Sequence, residues 1–438
     1  MKSIFKIFIV TTILVVIFGC SVDQKMEYSP AQSLEELEIP EGFDWDFTKD
    51  VDVVLTAHSP AGNPVQGVEI SLYKTQNNLV FNLPTNEAGE LSTTISMPES
   101  ANSVILEYDG NQVTVPVWAN TITYDMTVNP VRNVRDGGTV VYPSDNSVIT
   151  LMFEDFWPSK GDFDFNDMVL ETSGELVYVD DVISSIEIST TLVASGARFN
   201  NGFKMLFNTT AFPFNENDVI TYSASSNGIP VATTSQMMHD ALGTNVSWYV
   251  VTGLLEFTFF DNAFDVYHPS SGVFGINTDS NAAWTDPITI TITIDYDTEY
   301  AYVPGTPSFD FLNMNPFIVV DEVIGHEIHL PGYDYSPAFS WSAMFGTGND
   351  STDPNDYAAT AFTTASGFSW GLKLEGVLEY PIEKVDVILA YPALQNYFDN
   401  VEGGEIWWQP HPDDDHSEGN IYSRGDMGPN EQNAPLVP

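Results

Sequence analysis

The stretch Asp162-Phe163-Asp164-Phe165-Asn166-Asp167 alternates oxygen-bearing side chains with aromatic rings, between strand-like runs at 148–153 and 167–170. Alternate residues of an extended chain point to opposite faces, so the pattern predicts β structure with Phe163 and Phe165 in a core. The oxygen atoms would then converge on the other face, and Ca²⁺ prefers such anionic, oxygen-rich clusters. We therefore predict a calcium site. Its predicted ligands are Asp155, Asp162, Asp164, Asn166 and Asp167, and Glu154 is an alternative to Asp155 from the preceding strand.

Other interpretations of these acids follow from their spacing. An EF-hand that starts at Asp162 would need Gly at its sixth position and Glu at its twelfth, where the chain has Asp167 and Ser173. The stretch is therefore not an EF-hand. The acids could instead accept hydrogen bonds from backbone amides in a tight connection. A weaker second candidate for metal binding is the set Asp350, Asp353 and Asp356, which a polar turn explains equally well.

Short apolar runs separated by turns dominate the rest of the chain and predict an all-β protein. Residues 44–128 contain seven such runs, and Asp109-Gly110 is a strong hairpin signal, so a small β-sandwich is expected there. Residues 137–408 predict a larger β-sandwich, jelly-roll-like in its strand order. No long amphipathic helix pattern and no tandem repeat occurs.

Two resemblances to known families accompany this pattern. Gly62-Asn-Pro64-Val-Gln-Gly67-Val68, followed by Thr85-Asn-Glu-Ala-Gly89, is similar to transthyretin-like or carboxypeptidase regulatory-like domains, which act as spacers or interaction modules. The motif Phe153-Glu-Asp-Phe-Trp-Pro-Ser-Lys-Gly-Asp-Phe-Asp-Phe-Asn-Asp167, with Glu327-Ile-His329-Leu330-Pro331-Gly332 and Phe345-Gly-Thr-Gly348, resembles the LruC-domain lipoproteins of bacteria. The second resemblance covers residues 137–408. It implies a fold and a cell-surface setting without an established chemistry.

The first twenty residues have the pattern of a targeting segment. Lys2 and Lys6 precede an apolar run at 7–18, which is too short to span a bilayer, so residues 1–19 are expected to be a signal peptide. Cys20 follows Gly19 and is the only cysteine of the protein. This arrangement resembles a bacterial lipobox and predicts lipidation of Cys20, with residues 20–43 as a tether. The expected location is the outer membrane or the cell surface, and the lipid anchor makes the membrane a partner.

The charge of the chain is strongly acidic. Sixty-one Asp and Glu residues oppose 13 Lys and Arg residues, which gives a formal net charge of −48. Because phosphate binding requires Lys and Arg, nucleic acid is excluded as a partner. Divalent cations relieve such self-repulsion and are favoured. With Cys20 lipidated, no thiol remains for a disulfide, so stability rests on the core and on any bound metal.

The sequence offers little support for an enzyme. His326-Glu-Ile-His329 has its histidines three residues apart, whereas zincins need them four apart on a helix. In a strand His326 and His329 would point to opposite faces and could not share a metal. No Gly-x-Ser-x-Gly elbow occurs. A glycoside hydrolase would need two carboxylates across a cleft. With 61 acidic residues in the chain, such a pair is neither excluded nor indicated. We expect a non-enzymatic structural, adhesive or ligand-binding module.

Aromatic side chains suggest one further interaction. Trp407 and Trp408 precede an acidic stretch at 409–438 that lacks periodicity and predicts a flexible tail. Flat aromatic faces pack on sugar rings, so these two residues are the predicted contact for an unidentified glycan or protein partner. The alternative is that they fill a sandwich core.

Overall fold

The computed structural model describes residues 31, 33–40, 43–128, 137–179, 182–196, 198–208, 219–231, 246–249, 254–267, 275–278, 284–301, 314–353, 360–399, 407–408 and 420–422. The predicted signal peptide, the predicted lipidation site Cys20 and the tether up to residue 30 lie outside these residues. Across the described part, no helix is long and apolar enough to cross a membrane.

The predicted all-β fold class is confirmed, because the described residues form twenty strands and only three short α-helices. The strands are β1 (Thr48–His58), β2 (Glu69–Tyr73), β3 (Leu79–Pro84), β4 (Glu90–Pro98), β5 (Ser103–Tyr108), β6 (Asn111–Pro116), β7 (Thr121–Thr127), β8 (Gly137–Tyr142), β9 (Ile149–Phe153), β10 (Met168–Val179), β11 (Val182–Ala194), β12 (Gly202–Asn208), β13 (Val219–Ser226), β14 (Ile229–Val231), β15 (Val246–Tyr249), β16 (Leu254–Phe260), β17 (Ile288–Ala301), β18 (Asn315–Val319), β19 (Glu327–His329) and β20 (Gly371–Glu375). The helices are α1 (Ala263–Val266), α2 (Val387–Ala390) and α3 (Ala393–Phe398). Short 3-10 turns lie at Leu34–Glu36, Val320–Glu322 and Ser342–Met344.

Strand β1 illustrates why these segments become strands. Val51, Val53 and Leu55 are buried, while Asp52 and Val54 between them are exposed. This period of two fits one face of a sheet to the core and the other to solvent. Burying each aliphatic side chain stabilises the fold by about 1.5–3 kcal/mol.

The strands form three sheets. The first has the order β4-β1-β7, with β1 antiparallel to β4 and parallel to β7. The second runs β14-β13-β17-β11-β10-β8-β3-β2-β5-β6, with β9 paired to β10 and β20 paired to β9. The third has the order β15-β16-β12-β18-β19. Because β3 pairs with β8, strands of the two regions predicted as separate sandwiches share one sheet. Residues 129–136, between the two regions, lie outside the described part.

Strands β9 and β10 position the acidic stretch singled out in the sequence. They are antiparallel neighbours with Phe153 opposite Met168, so residues 154–167 form the connection between two adjacent strand ends. Strand β20 lies on the other side of β9, with Gly371 opposite Phe153. All five residues of β9 are buried, which anchors the start of the connection in the core.

Part of the predicted tether is packed against the body, which corrects the prediction of a free spacer over residues 20–43. Leu34 is buried, and its backbone N–H donates to Asp386 Oδ2 at 2.9 Å. Glu35 forms an ion pair with Lys160. The apolar side chain explains the packing, since leaving Leu34 in water would forfeit its hydrophobic stabilisation.

Part of the predicted flexible tail is also ordered. Ile421 and Tyr422 are buried, and the N–H of Tyr422 donates to the carbonyl of Tyr380 at 2.9 Å. The rings of Tyr380 and Tyr422 are stacked with centroids 5.6 Å apart. The prediction of a wholly flexible tail is therefore wrong for residues 420–422, because two apolar side chains hold this segment on the core. The remainder of 409–438 lies outside the described residues.

Candidate metal centre

The connection between β9 and β10 buries both of its alternating aromatic rings, as predicted. Phe163 and Phe165 are 5% and 0% exposed, and Phe165 packs against Trp45 with ring centroids 5.9 Å apart. The backbone is not the extended one that the alternation predicted, since φ is +59° at Phe163 and +52° at Phe165. Bulky residues rarely adopt this left-handed region, so the burial of both rings must hold the loop in place. The predicted exposure of the oxygen ligands is also wrong, because Asp164 and Asn166 are buried.

Three carboxylates converge at this loop. Glu154, Asp162 and Asp164 each offer an oxygen, and these oxygens all lie within 4.8 Å of one another. Glu154 Oε1 accepts a hydrogen bond from the N–H of Phe165 at 2.7 Å, whereas Glu154 Oε2 is buried without a hydrogen-bond partner. A buried, unpartnered carboxylate oxygen is costly unless a cation or a proton neutralises it.

The electrostatics of these carboxylates also favour a bound cation or proton. Burial raises the pKa of Glu154 well above its usual range, and the charges of Asp164 and Asp162 raise it further. Burial, followed by the charge of Asp162, raises the pKa of Asp164 to about 8. Both shifts arise because like charges share a poorly solvated space. A bound cation would reverse this repulsion.

The other predicted carboxylate ligands, Asp155 and Asp167, do not belong to this group of three acids. Asp155 Oδ2 accepts from Asn201 Nδ2 at 2.7 Å, and Asp167 Oδ2 accepts from the N–H of Asp155 at 2.9 Å. Burial raises the pKa of both Asp155 and Asp167, and the charge of Asp155 adds to the shift at Asp167. The structure therefore brings together Asp162 and Asp164 of the predicted set and adds Glu154.

Glu154 was the predicted alternative to Asp155 as the ligand from the preceding strand, and the sequence carries a further signal for it. A Cβ atom at Gly161 would overlap Glu154 Oε2, so only glycine allows this carboxylate to lie against the backbone before Asp162. The glycine directly preceding the Asp-Phe-Asp run marks this close approach.

Residues 381–387 form hydrogen bonds with the acidic loop. The N–H of Lys384 donates to Asp164 Oδ2 at 2.6 Å, and Asn166 Nδ2 donates to the carbonyl of Pro381 at 3.0 Å. The N–H of Val387, at the start of α2, donates to the carbonyl of Phe163 at 2.8 Å. Residues 381–387 therefore set the conformation of a loop more than two hundred positions earlier.

The predicted contact at Trp407 and Trp408 is wrong, because the two side chains are 2% and 5% exposed. Their rings lie 5.3 and 6.1 Å from that of Phe47, in a core that also contains Tyr391. Stacking on a sugar needs an open ring face. These residues fill the core instead, which was the alternative considered for them.

The two histidines of the Glu327 segment contact different neighbours, and the predicted strand is observed as Glu327–His329. His326 stacks on Trp341 with centroids 3.6 Å apart. His329 Nε2 lies 2.9 Å from Glu327 Oε2, and His329 Nδ1 lies 2.9 Å from Asn315 Oδ1. Both side chains contribute to the packing of the core.

The second acidic candidate forms a hydrogen-bonded turn. Asp350 Oδ1 accepts from Trp157 Nε1 at 2.9 Å, and Asp350 Oδ2 accepts from the N–H of Gly346 at 2.8 Å. Donors thus occupy both oxygens of this carboxylate, as the turn interpretation expects. Asp356 lies outside the described residues.

Together, the strands and the acidic loop define an all-β protein with a candidate cation site. Residues 181–408 match the model of the family described as Domain of unknown function (DUF4842), and the chain belongs to this family. The triad Glu154, Asp162 and Asp164 precedes the matched residues. No curated protein is significantly similar in sequence.

Solved structures give a likeness in fold. A Bacteroides ovatus protein, provisionally named a lipoprotein, has a TM-score of 0.55 and 13% identity, with 81% of this chain and 99% of that chain covered. The major pilin BcpA of Bacillus cereus has a TM-score of 0.15 and 10% identity, covering 76% of this chain and 87% of its own. The major pilin SpaA of Corynebacterium diphtheriae has a TM-score of 0.19 and 9% identity, covering 66% and 65%. These two TM-scores are too low to show a common fold with the pilins.

Proposed function

We propose that this protein is a non-enzymatic, lipid-anchored component of the cell envelope whose β-rich body binds and is stabilised by Ca²⁺ at Glu154, Asp162 and Asp164. The observation that carries the calcium site is the convergence of three carboxylates, one of which, Glu154, has a buried oxygen without a hydrogen-bond partner. The LruC-like motifs and the lipoprotein name of the Bacteroides ovatus neighbour support the envelope setting.

The chemistry of the donors favours calcium among common metals. All three side chains are carboxylates, which are hard oxygen ligands, and the triad contains neither His nor Cys. Zinc and copper prefer nitrogen and sulfur ligands. Calcium accepts irregular sets of six to eight oxygens, so backbone carbonyls and water can complete its shell. Extracellular calcium modules bind with Kd of about 10⁻⁴–10⁻³ M, which suits a protein outside the cytoplasm.

Calcium is expected to raise the thermal stability of the full-length protein in detergent. At a hundredfold excess over Kd, binding to the native state alone adds about 2.7 kcal/mol to the free energy of unfolding. The measurement is the melting temperature in EGTA and again in millimolar Ca²⁺. The exposed ligand Asp162 can be replaced without opening a cavity, so Asp162→Asn should fold and should lose the calcium-dependent rise.

A matched control separates ligand loss from a general charge effect. Asp109→Asn removes one carboxylate at an exposed hairpin turn with φ of +47°, a conformation that Asn tolerates. This variant should keep the full rise with calcium. A melting temperature that calcium does not change in the wild-type protein would refute the calcium part of the proposal.

Replacing Cys20 with Ala is expected to abolish membrane anchoring. Stable anchoring requires more than one acyl chain, and Cys20 is the only thiol of the protein. Cell fractionation with acyl labelling should find the wild-type protein in the membrane pellet and Cys20→Ala unlabelled and outside it. Ser21→Ala is the matched control and should behave as wild type. Retention of the acyl label by Cys20→Ala would contradict the anchoring proposal.

A further inference from the structure

Two further side-chain oxygens lie beside Gly196, one on the buried Asn166 and one on the half-buried Glu383. Asn166 Nδ2 donates to the carbonyl of Pro381, which fixes the orientation of the amide, and Asn166 Oδ1 is left buried without a partner. A Cβ atom at Gly196 would overlap Asn166 Oδ1 and would lie 2.8 Å from Glu383 Oε2. An amide oxygen and a carboxylate oxygen therefore face the same small space. Both are acceptors, so neither can satisfy the other.

A buried hydroxyl group lies near the same glycine. Thr278 Oγ1 has no hydrogen-bond partner. It lies 2.8 Å from the position that a Cβ of Gly275 would occupy, and that position is 3.0 Å from Gly196 Cα. The N–H of Glu383 donates to the carbonyl of Thr278 at 3.5 Å, so the two residues are neighbours. Amide and carboxylate oxygens are calcium ligands, and the hydroxyl of Thr278 is close enough to Gly196 to be a candidate third ligand.

The nearby lysine does not fully neutralise Glu383. Lys384 Nζ lies 2.9 Å from Glu383 Oε1 but is 70% exposed, so water screens its charge. The other oxygen, Glu383 Oε2, is the one that lies beside Gly196 and Asn166 Oδ1.

We propose a second Ca²⁺ site, formed by Asn166, Thr278 and Glu383 beside Gly196. None of these three residues belongs to the triad, whose carboxylate oxygens all lie within 4.8 Å of one another. The inference rests on the proposed function and extends it to a pair of ions on one loop. Since Glu383 and Thr278 come from distant parts of the chain, the second ion would clamp the loop to its supports.

Counting the bound ions tests this inference. Native mass spectrometry of the full-length protein in detergent, with Ca²⁺ as the only added metal, should find two calcium ions per chain. Glu383→Gln keeps the shape of the side chain and removes its charge, so this variant should bind one. Asp162→Asn should also bind one, and the double variant none. Glu87→Gln, at an exposed turn of the N-terminal region, is the matched control and should bind two.

The possible outcomes separate the two proposals. One calcium in the wild-type protein, lost in Asp162→Asn and kept in Glu383→Gln, would overturn the second site and leave the first intact. No calcium in the wild-type protein would overturn both. Two ions in Glu383→Gln would show that the second ion binds elsewhere. If Glu383→Gln does not fold, Thr278→Val replaces the hydroxyl by a methyl group of similar size. Two ions retained by Thr278→Val would contradict the assignment, and a loss of one would support it.

Discussion

Replacing Phe165 with Ala is expected to lower the free energy of unfolding by about 3–5 kcal/mol, the range for truncating a buried aromatic ring. Phe165 is 0% exposed and contacts the rings of Trp45 and Phe163. Its N–H also donates to Glu154 Oε1, so loosening this residue should disturb the triad. Stability and calcium affinity are therefore expected to fall together. Chemical denaturation with and without Ca²⁺ measures both effects.

Phe156→Ala is the matched control for this prediction. Phe156 lies in the same connection between β9 and β10, but it is 55% exposed. Its truncation should change the free energy of unfolding by no more than about 0.5 kcal/mol, as is usual for surface positions. If Phe165→Ala were as mild as Phe156→Ala, aromatic burial could not be what holds the acidic loop.

Replacing Lys373 with Met is the second change with a large expected effect, a loss of about 3–5 kcal/mol. Lys373 Nζ and Asp46 Oδ2 form an ion pair of 2.8 Å with little access to water. Despite burial, which lowers it, the pKa of Lys373 is raised well above its usual range, chiefly by the charge of Asp46. Removing the lysine leaves a poorly solvated carboxylate without its cation. The free energy of unfolding in urea is the measurement.

The position of the Lys373–Asp46 pair adds to the expected loss of stability, and nearby residues provide the controls. The N–H of Phe47 donates to the carbonyl of Lys373, and the N–H of Lys373 donates to the carbonyl of Trp45, so the pair lies where the N-terminal segment joins β20. Lys49→Met changes a half-buried lysine whose Nζ donates to the carbonyl of Glu99 at 2.7 Å, and it should cost little. Combining Lys373→Met with Asp46→Asn should recover part of the lost stability. Additive losses in the double variant would refute the ion-pair explanation.

The all-β fold could be predicted because its signal is local. The alternation of buried and exposed residues in β1 lies within one segment, and the hairpin at Asp109-Gly110 needs only two residues. The burial of Phe163 and Phe165 followed from the same rule, although the left-handed backbone there did not. The alternation of rings and acids did not distinguish an extended loop from one folded back on Glu154, although Gly161 is a local sign of the second arrangement. Both arrangements bury the aromatic rings.

For the aromatic residues near the end of the chain, the sequence did not reveal whether they are exposed or buried. Trp407 and Trp408 have the same sequence pattern whether they face solvent or a core. Their burial depends on Phe47, which lies about 360 positions earlier. The same applies to Leu34, whose packing depends on Asp386. Such contacts join residues that are distant in the sequence, so no local pattern predicts them.

By itself, the sequence determined the β class, the acidic character and the loop in which oxygen ligands gather, because alternation and charge are properties of neighbouring residues. Only the tertiary structure decided which oxygens meet. It selected Glu154 rather than Asp155 for the triad, because β9 ends at Phe153 and the chain turns there against Gly161. It also brought Glu383 to Asn166, because residues 381–387 pack on the loop through hydrogen bonds that close only when the sheets assemble.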